Sequence, residues 1–192
     1  MPPRCAERPG DPVAGRLGEG PANAGRRALL AAGLGGVWLP AAAHQLRPWP
    51  PSRRAPALRL PLLDGAAWDL ATQRGHAVVI NFWASWCEPC RDEMPSLALM
   101  AQRHEADGLR LVTVNYQEGD RPIRAFLDRL GLDVPVLLDR DGVATREWTP
   151  RLFPSTVLVD ARGQPRQLVL GEVDWGSPES RRWMAELLAA AR

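Results

Sequence analysis

The sequence predicts an α/β domain of three layers, with helices on both faces of a mixed central sheet. Three observations carry this. From residue 77 to 148, apolar runs of strand length alternate with segments of helical periodicity, the pattern of parallel strands joined by crossover helices. Two further apolar runs, Thr156–Asp160 and Arg166–Leu170, are separated only by Ala161-Arg162-Gly163-Gln164. That is a hairpin length, so the last strands run antiparallel. Finally, 192 residues leave room for one domain of roughly 100–200 residues plus a tail.

The tail comes first. Residues 1–54 hold 8 Arg and 3 acidic residues, a net of +5, and 17 of those 54 residues are Pro or Gly. Such a composition cannot bury a core. Within it, Arg26-Arg27 precedes the uncharged run Ala28–Leu39, followed by Pro40 and Ala41-Ala42-Ala43. A basic start, a short apolar stretch and small residues are the parts of an export signal. Residues 1–43 are therefore predicted to be an export leader. A cleaved signal peptide and an uncleaved N-terminal anchor both fit, and the Arg pair leaves both the general and the twin-arginine routes open. Residues 44–56 (HQLRPWPPSRRAP) read as a Pro-rich, semi-extended linker. The compact domain is expected over 57–192, where 16 Arg face 19 acids among residues 55–192.

Within the domain, Leu58–Leu63 is a short strand, which Pro61 marks as an edge, and Asp64-Gly65 is a turn. Ala77–Trp83 (AVVINFW) is a nearly continuous run of the kind buried on both faces of a sheet. Cys87–Ala106 is a helix with Leu97, Met100 and Ala101 on one face, and Pro95 should kink it. Leu109–Tyr116 is a second buried strand. Asp120 can cap a helix through Leu130, with Pro122 in its first turn and Gly131 as its stop. Val134–Leu138 is a third strand, Val143–Trp148 a short helix, and a last helix starts near Ser177-Pro178-Glu179.

The chain has three cysteines, Cys5, Cys87 and Cys90, too few for a disulfide-stapled miniprotein. Its formal charge is +2, carried entirely by Arg and without any Lys. No basic cluster makes a nucleic-acid footprint, and none is expected as partner. Cleavage after Ala43 would leave 19 Arg and 19 acids, so the basic excess belongs to the leader.

Chemistry concentrates in Trp86-Cys87-Glu88-Pro89-Cys90. The motif falls between a buried strand and a helix. Cys87 would sit at the helix N-terminus, where free N–H groups and the dipole favour a thiolate. Cys90 lies one turn on, placed to attack a mixed disulfide formed on Cys87. A disulfide closing so small a loop adds little by loop entropy and suits redox cycling better than stapling. A zinc site lacks its other ligands, since His44, His76 and His104 show no paired spacing. An inert disulfide and a pair of unreactive buried thiols fit the small loop and the helix start less well.

Asn81–Pro95 (NFWASWCEPCRDEMP), with Val112–Asn115, Pro135–Asp139 and Phe153–Asp160 (FPSTVLVD), resembles thioredoxin-like thiol–disulfide oxidoreductases of the TlpA/ResA type. The likeness runs from about Leu58 to the C-terminus. It implies a thioredoxin-like α/β/α sandwich. It implies Cys87 and Cys90 as the catalytic pair, with Pro154 as a cis-proline facing them and exposing backbone to a docking substrate. It marks Glu93 as the acidic residue that tunes the pair and can take a proton from Cys90. Asn81 stands where ordinary thioredoxins carry a buried Asp. Trp86, Glu88, Pro89 and Phe153 would line the substrate surface, with Trp83 and Trp86 packed around the site. Phe153 is bulkier than the residue usual in the family before this proline.

The implied function is an exported reductant of client-protein disulfides, for example in cytochrome c or copper-centre maturation. The clients would be disulfide-bearing proteins and the electron source a membrane thiol donor. No cofactor beyond the redox-active disulfide and no metal is expected. The expected location is the periplasm, or the extracytoplasmic face of a bacterial inner membrane, with membrane contact only through the N-terminal segment. An oxidase or isomerase direction is the alternative within this class. A copper-binding metallochaperone on the same fold is the alternative from another class, since soft thiolates suit Cu(I).

Overall fold

The computed structural model describes residues 44–189. The export leader predicted for residues 1–43, with Cys5 and Arg26-Arg27, lies outside the described residues. In chain order the elements are β1 (His44–Pro48), β2 (Arg59–Pro61), β3 (Ala67–Asp69), β4 (Ala77–Trp83), α1 (Glu88–His104), β5 (Leu109–Tyr116), α2 (Asp120–Leu130), β6 (Val136–Asp139), α3 (Val143–Trp148), β7 (Ser155–Val159), β8 (Pro165–Gly171) and α4 (Pro178–Ala189). A 3-10 turn spans Leu70–Gln73. Among the described residues, no helix is long and apolar enough to cross a membrane.

Six strands form the main sheet in the order β1-β8-β7-β4-β5-β6. β4, β5 and β6 are parallel, whereas β7 runs antiparallel to β4 and β8 antiparallel to β7. This is the mixed sheet expected from a crossover half followed by a hairpin half. All seven residues of β4 are buried. Its β-branched and aromatic side chains therefore serve both faces of the sheet, each buried Val, Ile or Phe stabilising by about 1.5–3 kcal/mol.

The two faces separate by strand alternation. Val79 and Trp83 of β4 join Met94 and Leu97 of α1, Ile123 and Phe126 of α2, and Met184 and Leu187 of α4. Val78, Ile80 and Phe82 point the other way and pack with Trp148 of α3, Trp49, Leu58 and Leu70. Asn81 shares the α1 side with Val79 and Trp83. That places one buried amide against the helix carrying the cysteines.

Several boundaries differ from the sequence reading. The segment read as a linker begins with a strand. His44–Pro48 pairs in register with β8, from His44 opposite Gly171 to Pro48 opposite Gln167. Four of its five residues are exposed, so backbone pairing rather than a hydrophobic pattern holds it, and no periodicity announces it. Trp49 is then buried against Trp148, with ring centroids 5.6 Å apart. The expected strand at Leu58–Leu63 shrinks to β2, which pairs with the unanticipated β3 across the predicted Asp64-Gly65 turn. Asp120 does not cap α2. The N-cap is Gly119, which has no side chain to cap with, and Asp120 lies inside the first turn, its carboxylate paired with Arg140. Gly131 ends α2 as expected, in the left-handed conformation at φ 62°. α1 continues through Pro95 as one helix.

Candidate active site

The strand that fills the core delivers the motif. β4 ends at Trp83, and the tight turn Ala84–Cys87 is closed by the Cys87 N–H donating to the Ala84 carbonyl at 3.1 Å. Cys87 has extended backbone and is the N-cap of α1. Its Sγ accepts the Cys90 N–H at 3.2 Å. A sulfur thus occupies the position where a capping oxygen usually satisfies the orphan donors of a helix start. Pro89, in the first turn, removes a donor that would have had no partner there. The two cysteines are joined as a disulfide with Cα atoms 5.3 Å apart. Cys87 is 5% exposed and Cys90 1%, so Cys87 is the sulfur closer to an incoming substrate. Glu88 is exposed and pairs with Arg91 at 3.2 Å, a surface pair of little energetic weight.

One turn beyond Cys90, Glu93 points into the core and is 2% exposed. Its Oε1 accepts from Asn81 Nδ2 at 2.9 Å and its Oε2 from the Val173 N–H at 2.8 Å. Asn81 also donates to Thr156 Oγ1 at 2.9 Å. Burial pushes the Glu93 pKa up from 4.5 to about 7. The Val173 N–H, the Trp175 indole and Asn81 pull it down, and the Glu172 charge raises it further. Trp175 Nε1 sits in this pocket without a well-formed hydrogen bond. The outcome is a buried carboxyl that gains or loses a proton near neutrality, on the helix that carries both cysteines. Proton transfer to or from a thiol needs such a group.

The rim is aromatic. Trp86 is 65% exposed and meets Phe153 edge-on at 5.8 Å. Phe153 in turn contacts Tyr116 at 5.3 Å. The Phe153–Pro154 peptide bond is cis. Pro154 is buried, immediately before β7, whose first residue Ser155 pairs with Phe82 of β4. That register places Pro154 at the same end of the sheet as the cysteines. Trp83 is fully buried in the core cluster that also holds both cysteines, its ring tilted against Phe126 at 4.5 Å.

Three groups of site residues carry no sequence signal. Val173 and Trp175 reach Glu93 from eighty or more residues away, through the segment between β8 and α4. Tyr116 completes the rim from the end of β5. Glu118 binds the active-site turn. Its Oε2 accepts the Ser85 N–H at 2.6 Å and Asn115 Nδ2 at 2.8 Å, and its Oε1 accepts the Ser85 hydroxyl at 2.5 Å. Only the β4–β5 pairing, with Trp83 opposite Asn115, brings Ser85 and Glu118 together.

Comparison with known proteins gives a consistent picture. The family model described as Redoxin matches residues 50–182. The thioredoxin-like protein YneN of Bacillus subtilis is 34% identical over 122 residues, covering 62% of this chain and 71% of YneN. The thiol–disulfide oxidoreductase ResA of Geobacillus kaustophilus is 32% identical over 117 residues, covering 61% and 67%. Among solved structures, a Chlorobium tepidum protein described as thiol:disulfide interchange protein DsbE superposes with a TM-score of 0.62 at 28% identity, covering 72% of this chain and 94% of its own. A matched family model spanning the cysteine pair and the strands from β2 onward, together with relatives named as a thioredoxin-like protein and a thiol–disulfide oxidoreductase, means that this chain belongs to the Redoxin family as a thioredoxin-like thiol–disulfide oxidoreductase of the TlpA/ResA type.

Proposed function

We propose that the protein is an exported reductant of client-protein disulfides. The observation that carries this reading is the arrangement along α1. Cys87 caps the helix, Cys90 follows one turn later and more deeply buried, and the Glu93 carboxyl stands one turn further on. In the reduced state the Cys87 thiolate attacks one sulfur of a client disulfide. The other client sulfur leaves as a thiolate and takes a proton. Cys90 then loses its proton, for which Glu93 is the nearest buried acceptor along the helix. Its sulfur attacks Cys87, the client sulfur bound there leaves as a thiolate and takes up the proton given by Cys90, and the client departs as a dithiol. Two electrons have passed to the client, and the Cys87–Cys90 disulfide results. A membrane thiol donor returns two electrons and two protons. No cofactor enters the cycle.

Charge supports that direction. Oxidants of this class stabilise their reduced form through a favoured thiolate. An ionised carboxylate near the pair opposes that thiolate and shifts the couple toward reduction of others. The leader pattern before residue 44 supports export. The resemblance suggests cytochrome c haem-site or copper-centre cysteines as clients, docking on the Trp86–Phe153 rim beside Pro154.

Cys90→Ser should accumulate mixed disulfides through Cys87, visible as adducts that dissolve on reduction. An absence of adducts, with the wild type active, would remove the two-cysteine mechanism. The potential of the Cys87–Cys90 couple should be strongly reducing. A value near that of an oxidant would reverse the direction, and tight stoichiometric Cu(I) binding by the reduced chain would favour the copper carrier.

A further inference from the structure

We propose that Glu118 is a positioning residue for the attacking cysteine: its carboxylate clamps Ser85, and so fixes the turn that presents Cys87 at the start of α1. The inference rests on the thiol–disulfide chemistry proposed above and adds a residue to it. Cys87 takes its backbone direction from the Ala84–Cys87 turn. That turn has one internal hydrogen bond, and its exposed member Trp86 meets only the edge of Phe153 among the described aromatic rings. A turn so lightly held needs an external anchor. Glu118 supplies it by gripping Ser85 twice, at the backbone N–H and at the hydroxyl.

The anchor is itself fixed. The buried Asn115 side chain donates to the same carboxylate. Arg140 binds both the Glu118 carbonyl and the Asp120 carboxylate. The preceding residue, Gln117, holds φ 56°, a left-handed conformation uncommon for a residue with a side chain. Its N–H donates to the Asp139 carbonyl and its Nε2 to the Asp141 carbonyl, at 3.0 and 3.1 Å. Backbone held in such a conformation persists only where its surroundings over-determine it. Here those surroundings aim one carboxylate at one serine.

Positioning and simple charge predict opposite signs. A carboxylate acting only by its charge would oppose the Cys87 thiolate, and its removal would speed the thiol. A carboxylate acting as a clamp keeps Cys87 at the helix terminus, where the thiolate is favoured, and its removal would slow the thiol. Gln is the informative neutral replacement. Its Oε1 can accept the Ser85 N–H and the Asn115 Nδ2 that meet one Glu118 oxygen, and its amide, in place of the other oxygen, can donate to the Ser85 hydroxyl.

The experiment uses the full chain, reduced, and follows iodoacetamide alkylation of Cys87 against pH by peptide mass spectrometry, which separates it from Cys5 and Cys90. Glu118→Ala should slow Cys87 about tenfold below its midpoint and move that midpoint up by about one pH unit, these being the same effect. Glu118→Gln should restore most of the wild-type rate. Ser85→Ala, which keeps the backbone contact, should fall between wild type and Glu118→Ala, and it decides the matter if Glu118→Ala does not fold. Faster alkylation in Glu118→Gln, or wild-type rates in Ser85→Ala and Glu118→Gln together, would overturn the proposal. Insulin reduction by the wild-type chain is measured alongside. Its absence would sink the proposed reaction, whereas the order of the variants' rates judges the clamp.

Discussion

Replacing Glu93 by Gln removes, among the described residues, the one buried carboxyl whose protonation is displaced into the neutral range. Its pKa is raised from 4.5 to about 7, chiefly by burial. The folded state therefore holds this proton more tightly than the unfolded chain does. The associated stability is fully present below pH 4.5 and is lost as pH rises through about 7. Integrated between pH 5 and pH 8, one such group weakens the fold by about 2–3 kcal/mol. Gln cannot titrate but has nearly the same shape. It can accept one of the two donors, and a rotation of the Asn81 amide lets Asn81 accept from it while the Thr156 hydroxyl donates. The assay is urea unfolding of the oxidised full chain, wild type and Glu93→Gln, at pH 5 and pH 8. The wild type should lose about 2–3 kcal/mol more than the variant between the two pH values. Parallel losses within about 0.5 kcal/mol, the ordinary scale of a neutral surface change, would refute the assignment of a near-neutral proton to Glu93. The same variant should flatten the pH dependence of Cys90 attack on a Cys87 mixed disulfide, read in single-turnover kinetics.

Two further outcomes test the packing and the rim. Phe126→Ala empties a site that is 2% exposed and stacked on Trp83. It should cost about 3–5 kcal/mol in urea unfolding, and a loss below about 1 kcal/mol would mean that α2 does not hold the end of β4 in place. Phe153→Ala removes the ring between Trp86 and Tyr116. Aromatic contacts of this kind are worth about 0.5–1.5 kcal/mol each. The KM for a protein disulfide should therefore rise roughly two- to tenfold, with the reaction of a small aromatic-free disulfide unchanged. An equal effect on both substrates would show that Phe153 acts on the cysteines rather than on client binding.

The parts of the fold legible in the sequence are those whose information is local. β4, β5 and α3 have the predicted bounds, since continuous burial and a short capped periodicity write themselves into adjacent residues. Cys87 at a helix start was legible for the same reason, because strand, turn and helix follow within a dozen residues. β1 was not, because an exposed edge strand held by backbone pairing to β8 leaves no apolar alternation. Asp120 misled because the helix begins at the capping residue type rather than after it, with its carboxylate in the first turn paired to Arg140. The environment of Glu93 was half legible. The likeness named the residue and the Asn81 substitution, but the depth of its burial and the Val173 and Trp175 contacts depend on how the chain after β8 folds back.

Glu93 and Glu118 together explain how one small site keeps its two cysteines distinct. The two sulfurs lie in one helical turn and are chemically identical, so any difference between them must come from their surroundings. Cys87 receives the helix terminus and a turn clamped by Glu118, two residues beyond β5. Cys90 receives burial and a carboxyl able to take its proton near neutrality. Each carboxyl is held by a neighbouring asparagine, Asn81 on β4 for Glu93 and Asn115 on β5 for Glu118. An asparagine anchors without titrating, which leaves the proton traffic to Glu93. Substituting Glu93 should then slow the resolving step while leaving the first attack unchanged or faster, and substituting Glu118 should slow the first attack with little change in the resolving step. If both substitutions slowed the same step to the same degree, the two cysteines would not be separately controlled.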